Sequence, residues 1–327
     1  MTLYLGIDGG GTKTTCVVAD EHTVLGLATS GGSNITRWGE ARVRDALQAG
    51  VKDACAAAKV DPRKIDSTCV GLSGAGRLEV RDAVARMMAE IVGGRVQVVT
   101  DLETTLEAAF SGGPGVITIA GTGSIAYGRD AQGRTARSGG WGLAISDEGS
   151  GQWIGRAAVG AVLGAKDAGE EPALLSTILK TWKLTTLDEL VRHANASPPP
   201  DFSSLFPLVL EADQNPRPSE AWTGHPGRNS SEAGAGNPAA SGDVLAAGVL
   251  DRAGAELAVL AKNVIRRLFA GTAVVPVAMA GGVFRQSERA RQVFYNHVVA
   301  EFPQARVQAN VVEAVDGALA LARKSPP

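Results

Sequence analysis

The chain opens on three short apolar runs separated by turn residues. "LYLGIDGG" and "TTCVVAD" flank a glycine turn, and "TVLGLATS" follows. Apolar and β-branched residues bounded by Gly and Asp predict three consecutive strands, the first two a hairpin. Over residues 38–59 the period changes. Val43, Leu47, Val51, Cys55 and Ala58 recur at spacings of three and four, which predicts an amphipathic helix. Next, "STCVGLSG" predicts a strand, "EVRDAVARMMAEIV" a helix with Met87 and Met88 as core filler, "RVQVVTD" a strand and "LETTLEAAF" a helix.

The opening pattern then recurs. "GVITIAGTGSIAYGRD" at 115–130 is again an apolar strand, a glycine-rich turn and a second strand, and "TARSGG" predicts a third. Two copies of strand, glycine turn and strand point to duplicated halves. Helical patterns dominate from 148 to 270. The stretch 214–241, rich in Pro, Gly, Ser and Asn, has no period and is expected to be a long surface loop. The strand "AVVPVAMAGG" and two helices are expected to close the chain. Strands alternating with helices make this an α/β protein.

Composition changes little in this picture but excludes several functions. The 327 residues are 44% hydrophobic and 20% charged, ordinary for a chain long enough for two domains sharing a cleft. A net charge of −2 lacks the basic footprint of a nucleic-acid binder. No apolar run reaches the ~20 residues that span a bilayer. The start "MTLYLGIDGG" has no signal-peptide pattern, so a cytoplasmic protein is expected. Cys16, Cys55 and Cys69 have neither metal-like nor redox-like spacing; each is expected to be a plain core residue.

The candidate chemistry lies in the turns. "LGIDGGGTKT" resembles a P-loop, but with Lys13 one position late for G-x-x-x-x-G-K-[ST]. Gly9, Gly10 and Gly11 let backbone N–H groups approach an anion, Thr12 and Thr14 add hydroxyls, and Lys13 adds a cation. Asp8 at the strand end helps beside phosphates only through a cation, which implies hydrated Mg²⁺. The alternative is a simple hairpin turn. Gly121-Thr122-Gly123-Ser124 matches part of a dinucleotide fingerprint, but a strand follows rather than a helix. Two such turns on matching hairpins better suit a grip on phosphates from both sides. Gly281-Gly282, after a strand, would let backbone lie flat on a purine or ribose; a tight connection is equally compatible.

Asp101 ends the strand "RVQVVTD", where open sheets border their ligand crevice. It could take a proton from a substrate hydroxyl during phosphoryl transfer. It could equally serve the helix start, where Thr100-x-x-Glu103 fits a capping box. In "GGWGLAISDEGSGQW", Trp141 could lie on a sugar face and Asp147 could accept sugar hydroxyls; capping by Asp147 or Ser150 is the structural alternative. Asn34, Ser73 and Gly74 fall in turns after strands.

Taken in order, "GIDGGGTKT", "SNITRWG", "GLSGAG", "VVTD", "AGTGS", "GGWGLAISDEGSG" and "AGGVF" resemble the N-acetylglucosamine kinases. These belong with the benzoyl-CoA reductase activator-type (BadF/BadG/BcrA/BcrD) ATPases of the actin/hexokinase/Hsp70 superfamily. The resemblance runs from residue 4 to about 320, apart from 214–241. It implies a two-domain actin-like (ribonuclease H-like) fold with duplicated halves and a central cleft: 1–112 completed by a helix at 314–327, and a larger domain at 113–313.

It further implies transfer of a phosphoryl group from ATP, with Mg²⁺ held by Asp8 through water, to the 6-hydroxyl of an amino sugar. Nucleotide contacts carry over to Gly9, Gly10, Gly11, Thr12, Lys13, Thr14, Gly121, Thr122, Gly123, Ser124, Gly281 and Gly282. Asp101 carries over as the base. Sugar contacts carry over to Asn34, Ser73, Gly74, Asp101, Gly140, Trp141, Gly142 and Asp147. Ile125 stands where animal members have Asn, so no sugar contact carries over to it. N-acetylglucosamine is the first choice of substrate, with glucosamine, N-acetylmuramate or a catalytically silent sugar- or cell-wall-fragment-binding protein as alternatives. Arg37 and Arg77 lie near the sugar segments without a motif to place them. Iron–sulfur activators need cluster cysteines, and sugar-sensing regulators a DNA-binding module, and neither pattern is found here. The expected partner is a small sugar, with neither nucleic acid nor membrane, and a homodimer is compatible.

Overall fold

A computed structural model describes residues 1–214 and 243–324. Nearly all of the 214–241 stretch therefore lies outside the described residues. The first half holds strands β1 (Tyr4–Gly9), β2 (Lys13–Ala19), β3 (Val24–Gly31), β4 (Ser67–Leu72) and β5 (Arg95–Thr100). Its helices are α1 (Ile35–Trp38), α2 (Glu40–Ala58), α3 (Leu78–Ile91) and α4 (Asp101–Phe110). The second half begins with β6 (Gly115–Ala120), β7 (Ser124–Arg129) and β8 (Thr135–Gly139). Helices α5 (Gly151–Asp167), α6 (Ala173–Trp182), α7 (Leu187–Ala194), α8 (Phe206–Gln214) and α9 (Val244–Leu268) follow. Last come β9 (Val275–Ala280), α10 (Gly282–Gln286), α11 (Glu288–Glu301), β10 (Ala305–Val312) and α12 (Ala314–Lys324).

The two five-stranded sheets repeat one topology. The first runs β3-β2-β1-β4-β5, and the second β8-β7-β6-β9-β10. In each, the first three strands form an antiparallel meander and the last two join in parallel. The duplication expected from the recurring glycine hairpin is thus present strand for strand. One core packs α2 and α3 against the first sheet, through Leu5, Ile7, Val43, Leu47, Val51, Val70 and Val84. A larger one gathers α5, α6, α8, α9 and α11 on the second.

Two helices tie the halves together. Leu106 of α4 packs with Ile117 and Ala278 of the second sheet. In return, Val315, Ala318, Leu319 and Ala322 of α12 pack with Tyr4, Val17 and Cys69 of the first. The helices cross where Gly317 meets α4, and a Cβ on Gly317 would lie 1.8 Å from the Thr104 carbonyl oxygen. Only glycine permits that approach.

Two expectations need correction. The chain after Gly282 holds a strand, β10, between its helices. Its sequence "ARVQANVV" is half polar because it is an edge strand with one neighbour, and its register slips between Val307 and Val311. The helix expected over 38–59 starts at Glu40, because Gly39 at φ +74° separates it from the one-turn α1. Cys16, Cys55 and Cys69 are buried free thiols. Burial pushes them up to about 12, 11 and 12 respectively, as expected of core residues rather than reactive ones.

Candidate functional site

Strand register brings the candidate residues together. Gly9 of β1 pairs with Leu72 of β4, and Leu72 pairs with Thr100 of β5. Asp8, Ser73 and Asp101 therefore emerge side by side at the carboxyl edge of the first sheet, the edge where open α/β sheets bind ligands. In the second sheet Ala120 pairs with Ser124, Ile119 with Ala280, and Ala280 with Val312. That aligns the second glycine turn, Gly281 and Glu313 at the equivalent edge.

The two glycine turns touch. Thr12 Oγ1 and Thr122 Oγ1 are 2.7 Å apart, joined by a hydrogen bond between residues of different halves. The first turn closes through the Gly10 N–H, which donates to the Lys13 carbonyl (2.9 Å). It is steadied by the Trp38 indole N–H, which donates to the Gly11 carbonyl (2.8 Å). The second is steadied by the start of α5, where the Gly151 N–H donates to the Gly121 carbonyl (2.8 Å). Gly281 adopts φ +95°, and a Cβ there would lie 2.4 Å from the Ala120 carbonyl oxygen. The close approach of β9 to the strand before the second turn depends on that glycine.

Two residues among the predicted nucleotide contacts have hydroxyls engaged inside the fold. The Thr14 hydroxyl is buried and bonds the Gly31 carbonyl and Ser33 hydroxyl (both 2.7 Å). The Ser124 hydroxyl donates to the Glu148 carbonyl (2.7 Å). Both hydroxyls are used within the fold. Lys13 is exposed and lies close enough to Asp8 to lower its pKa.

Asp101 stands apart from the cap of its own helix. The capping box is made by Thr100 and Glu103: the Glu103 N–H donates to Thr100 Oγ1 (3.2 Å), and the Thr100 N–H donates to Glu103 Oε2 (2.8 Å). The Asp101 carboxylate is outside that box, although it accepts first-turn N–H groups of α4. Burial raises it to about 6, against the lowering effect of hydrogen bonds from the Leu102 N–H and the Ser73 hydroxyl. Ser73 in turn receives a bond from Asn34 Nδ2 (3.2 Å), while Asn34 Oδ1 caps α1 by accepting from the Arg37 N–H (3.1 Å). Gly74 lies beside Asn34 Oδ1 and Thr36 Oγ1, each within 3.4 Å of where its Cβ would be. Asn34, Ser73, Gly74 and Asp101 thus form one continuous polar wall.

Asp8 is raised to about 7, first by burial and then by the Asp101 carboxylate, with Glu313 adding to the rise and Lys13 and Arg285 opposing it. A carboxylate so crowded by negative charge suits a divalent cation. Among the described residues no group of three or more His, Cys, Asp or Glu side chains is placed to hold a metal ion. Two facing glycine turns with paired threonines fit the phosphates that would bring it.

The segment after β8 runs between the second glycine turn and the surface. Asp147 is buried at φ +71°, its carboxyl raised by burial and hydrogen-bonded by the Ser124 N–H. Its Oδ2 lies 2.9 Å from where a Cβ on Gly123 would be, so it sits under the second glycine turn. Gly140 rests on the Ile125 side chain, 2.5 Å from its would-be Cβ. Trp141 is 64% exposed, and the Arg137 guanidinium covers its ring at 4.1 Å. Gly142 has open space around it. No described contact joins Trp141 or Gly142 to Asp101 or Asn34.

Two features escaped the sequence reading. Arg285 donates two bonds to Glu313 (2.8 and 2.6 Å) beside Asp8; Glu313 follows the unpredicted β10. Trp38 fastens the first turn, and its position four residues after Asn34 was the available signal.

Comparison with known proteins agrees with this geometry. The chain is 29% identical to an N-acetylmuramic acid/N-acetylglucosamine kinase of Clostridium acetobutylicum, covering 99% of both. It is 33% identical to an N-acetyl-D-glucosamine kinase of Dictyostelium discoideum over 65% of this chain and 71% of that one. A crystal structure of a candidate N-acetylglucosamine kinase of Chromobacterium violaceum superposes with a TM-score of 0.70 at 25% identity, covering 99% of both chains. The pattern of the BadF/BadG/BcrA/BcrD ATPase family matches residues 5–187, and with more than half of its length so matched, the chain belongs to the BadF/BadG/BcrA/BcrD ATPase family.

Proposed function

We propose that the protein is an ATP-dependent kinase acting on the 6-hydroxyl of an amino sugar, with N-acetylglucosamine as substrate. The observation that carries this is Asp101, a carboxylate raised to about 6 by burial, outside the capping box of its helix and joined through Ser73 to Asn34. Such a group is tuned to hold a hydroxyl and take its proton near neutral pH. The names of the relatives from Clostridium and Dictyostelium support the substrate class.

In this mechanism Asn34, Ser73 and Asp147 orient the sugar. Asp101 aligns the hydroxyl and accepts its proton as the oxygen attacks the γ-phosphorus of ATP in line and the bond from that phosphorus to the bridging oxygen breaks, releasing ADP. Gly9–Gly11, Thr12, Gly121, Thr122 and Gly123 hold phosphate oxygens by N–H and hydroxyl groups, and Gly281 and Gly282 flank the nucleoside. Held by Asp8 through water, Mg²⁺ would supply positive charge to the transferring group. Residues 1–112 with 314–327 would form one lobe and 113–313 the other; the packing of α12 on the first sheet supports this division. Buried free thiols are in keeping with a cytoplasmic protein. Among the described residues no helix is long and apolar enough to cross a membrane.

The test is a coupled ADP-release assay over N-acetylglucosamine, glucosamine, N-acetylmuramate, glucose and no sugar. N-acetylglucosamine should give the highest kcat/KM of the four sugars. A higher value for glucosamine overturns the substrate, and equal ADP release without sugar overturns the kinase.

A further inference from the structure

Among the described residues, three buried side-chain polar atoms lack a hydrogen-bond partner: Thr68 Oγ1, Thr118 Oγ1 and Arg37 Nη1. The two threonines lie inside strands β4 and β6. Arg37 is different in kind, because its group is charged and a guanidinium N–H without an acceptor is costly to bury. Its other contacts do not meet that need. Nη2 is 3.5 Å from Asp201 Oδ2, and that carboxylate also bonds Gln152 and Ser203. The Trp38 ring lies 4.8 Å from the guanidinium carbon.

The position of Nη1 shows what it faces. A Cβ on Gly11 would lie 3.6 Å from Nη1 and 3.4 Å from Thr122 Oγ1. Arg37 Nη1 and Thr122 therefore converge on the tip of the first glycine turn, where the two turns meet. The backbone N–H of the same residue bonds Asn34, so Arg37 stands between the phosphate turns and the polar wall of Asp101, Ser73 and Asn34. A planar guanidinium with a free N–H at that junction suits an oxygen anion.

We propose that Arg37 binds an oxyanion inside the cleft and so takes part in choosing the substrate. This rests on the kinase reading, which supplies two sources for that chemistry: the terminal phosphoryl group of ATP, or a carboxylate on the sugar's C3 substituent, as in N-acetylmuramate.

The experiment compares full-length wild type with Arg37→Gln, Arg37→Lys and Asp201→Asn. Calorimetry measures ATP, ADP, N-acetylglucosamine and N-acetylmuramate, alongside kinetics and melting temperature. Losing one charge-assisted bond costs about ten-fold or more in affinity for the ligand that carries the anion. A phosphoryl ligand predicts that Arg37→Gln weakens ATP about ten-fold more than ADP and lowers kcat for every sugar. A sugar carboxylate predicts a loss of about ten-fold confined to N-acetylmuramate, with ATP and N-acetylglucosamine within two-fold of wild type. In either case Arg37→Lys should recover part of the loss.

The proposal is overturned if all four ligands change by one common factor, or if none changes, with Asp201→Asn and Arg37→Gln lowering the melting temperature alike; Arg37 is then a strap between the halves. The kinase reading fails separately. Wild type that binds ATP but releases no ADP in response to sugar defeats it, while the ATP-to-ADP comparison still decides Arg37.

Discussion

Asp101→Asn should move activity and stability in opposite directions. As proton acceptor, Asp101 contributes a factor of ~10²–10⁴ to turnover, about 3–5 kcal/mol of barrier. Asparagine keeps the size and can still accept from Ser73, but takes no proton, so kcat should fall by that factor while ATP affinity stays near wild type. Stability follows from the raised pKa. A carboxyl at 3.8 when unfolded and about 6 when folded binds its proton more tightly in the native state. Its stabilising contribution is full below pH about 4 and is lost as pH rises through about 6. Above that, ionised Asp101 costs the fold up to ~3 kcal/mol, from about two units at 1.36 kcal/mol each. Partial solvent access reduces this to about 1–2 kcal/mol.

At pH 8 the variant should therefore melt a few degrees higher than wild type, since ~1 kcal/mol moves a large domain by about 2–4 °C or less. At pH 4.5 the difference should largely vanish. Wild-type kcat/KM should rise through pH about 6 as the base ionises. Steady-state kinetics and thermal melts at two pH values suffice. A variant that keeps over half of wild-type turnover, or that melts lower at pH 8, would show Asp101 to be part of the helix cap after all.

Two other substitutions probe the cleft and the crossing of α4 and α12. Thr122→Val removes the bond to Thr12 (2.7 Å) and one phosphate-facing hydroxyl, so calorimetry should show ATP binding about 2- to 12-fold weaker with N-acetylglucosamine binding unchanged; equal losses for both ligands would defeat the phosphate assignment. Gly317→Ala forces a Cβ against the Thr104 carbonyl at 1.8 Å, and the crossing of α4 and α12 should lose about 1–3 kcal/mol. An unaltered melting temperature would mean the two helices separate without cost.

What could be read from the sequence followed the strength of the local signal. Strands β1, β2, β6 and β7 were legible because each is an apolar run that borders a glycine turn, and the repeat of that hairpin announced the duplicated sheets. Asp101, Ser73 and Asn34 were legible as strand-end and turn residues, but their hydrogen-bonded chain depends on the parallel pairing of β1, β4 and β5, which no short stretch encodes. The ambiguity at Asp101 was equally beyond sequence. Thr100 and Glu103 do form the capping box, and only the structure shows that they form it without Asp101.

The one strand that was missed was nevertheless implied by the repeat. In the first half, β4 is followed by α3, β5 and α4; β9 should therefore be followed by helix, strand and helix, and it is, through α11, β10 and α12. Edge position left β10 with too little apolar pattern to declare itself, so symmetry was the stronger guide. The same mapping places α12 opposite α4 and Glu313, just before α12, at the position that Asp101 holds at the start of α4. The acidic residue at the end of the second sheet is thus the counterpart of the one at the end of the first, and both raise the pKa of Asp8 between them.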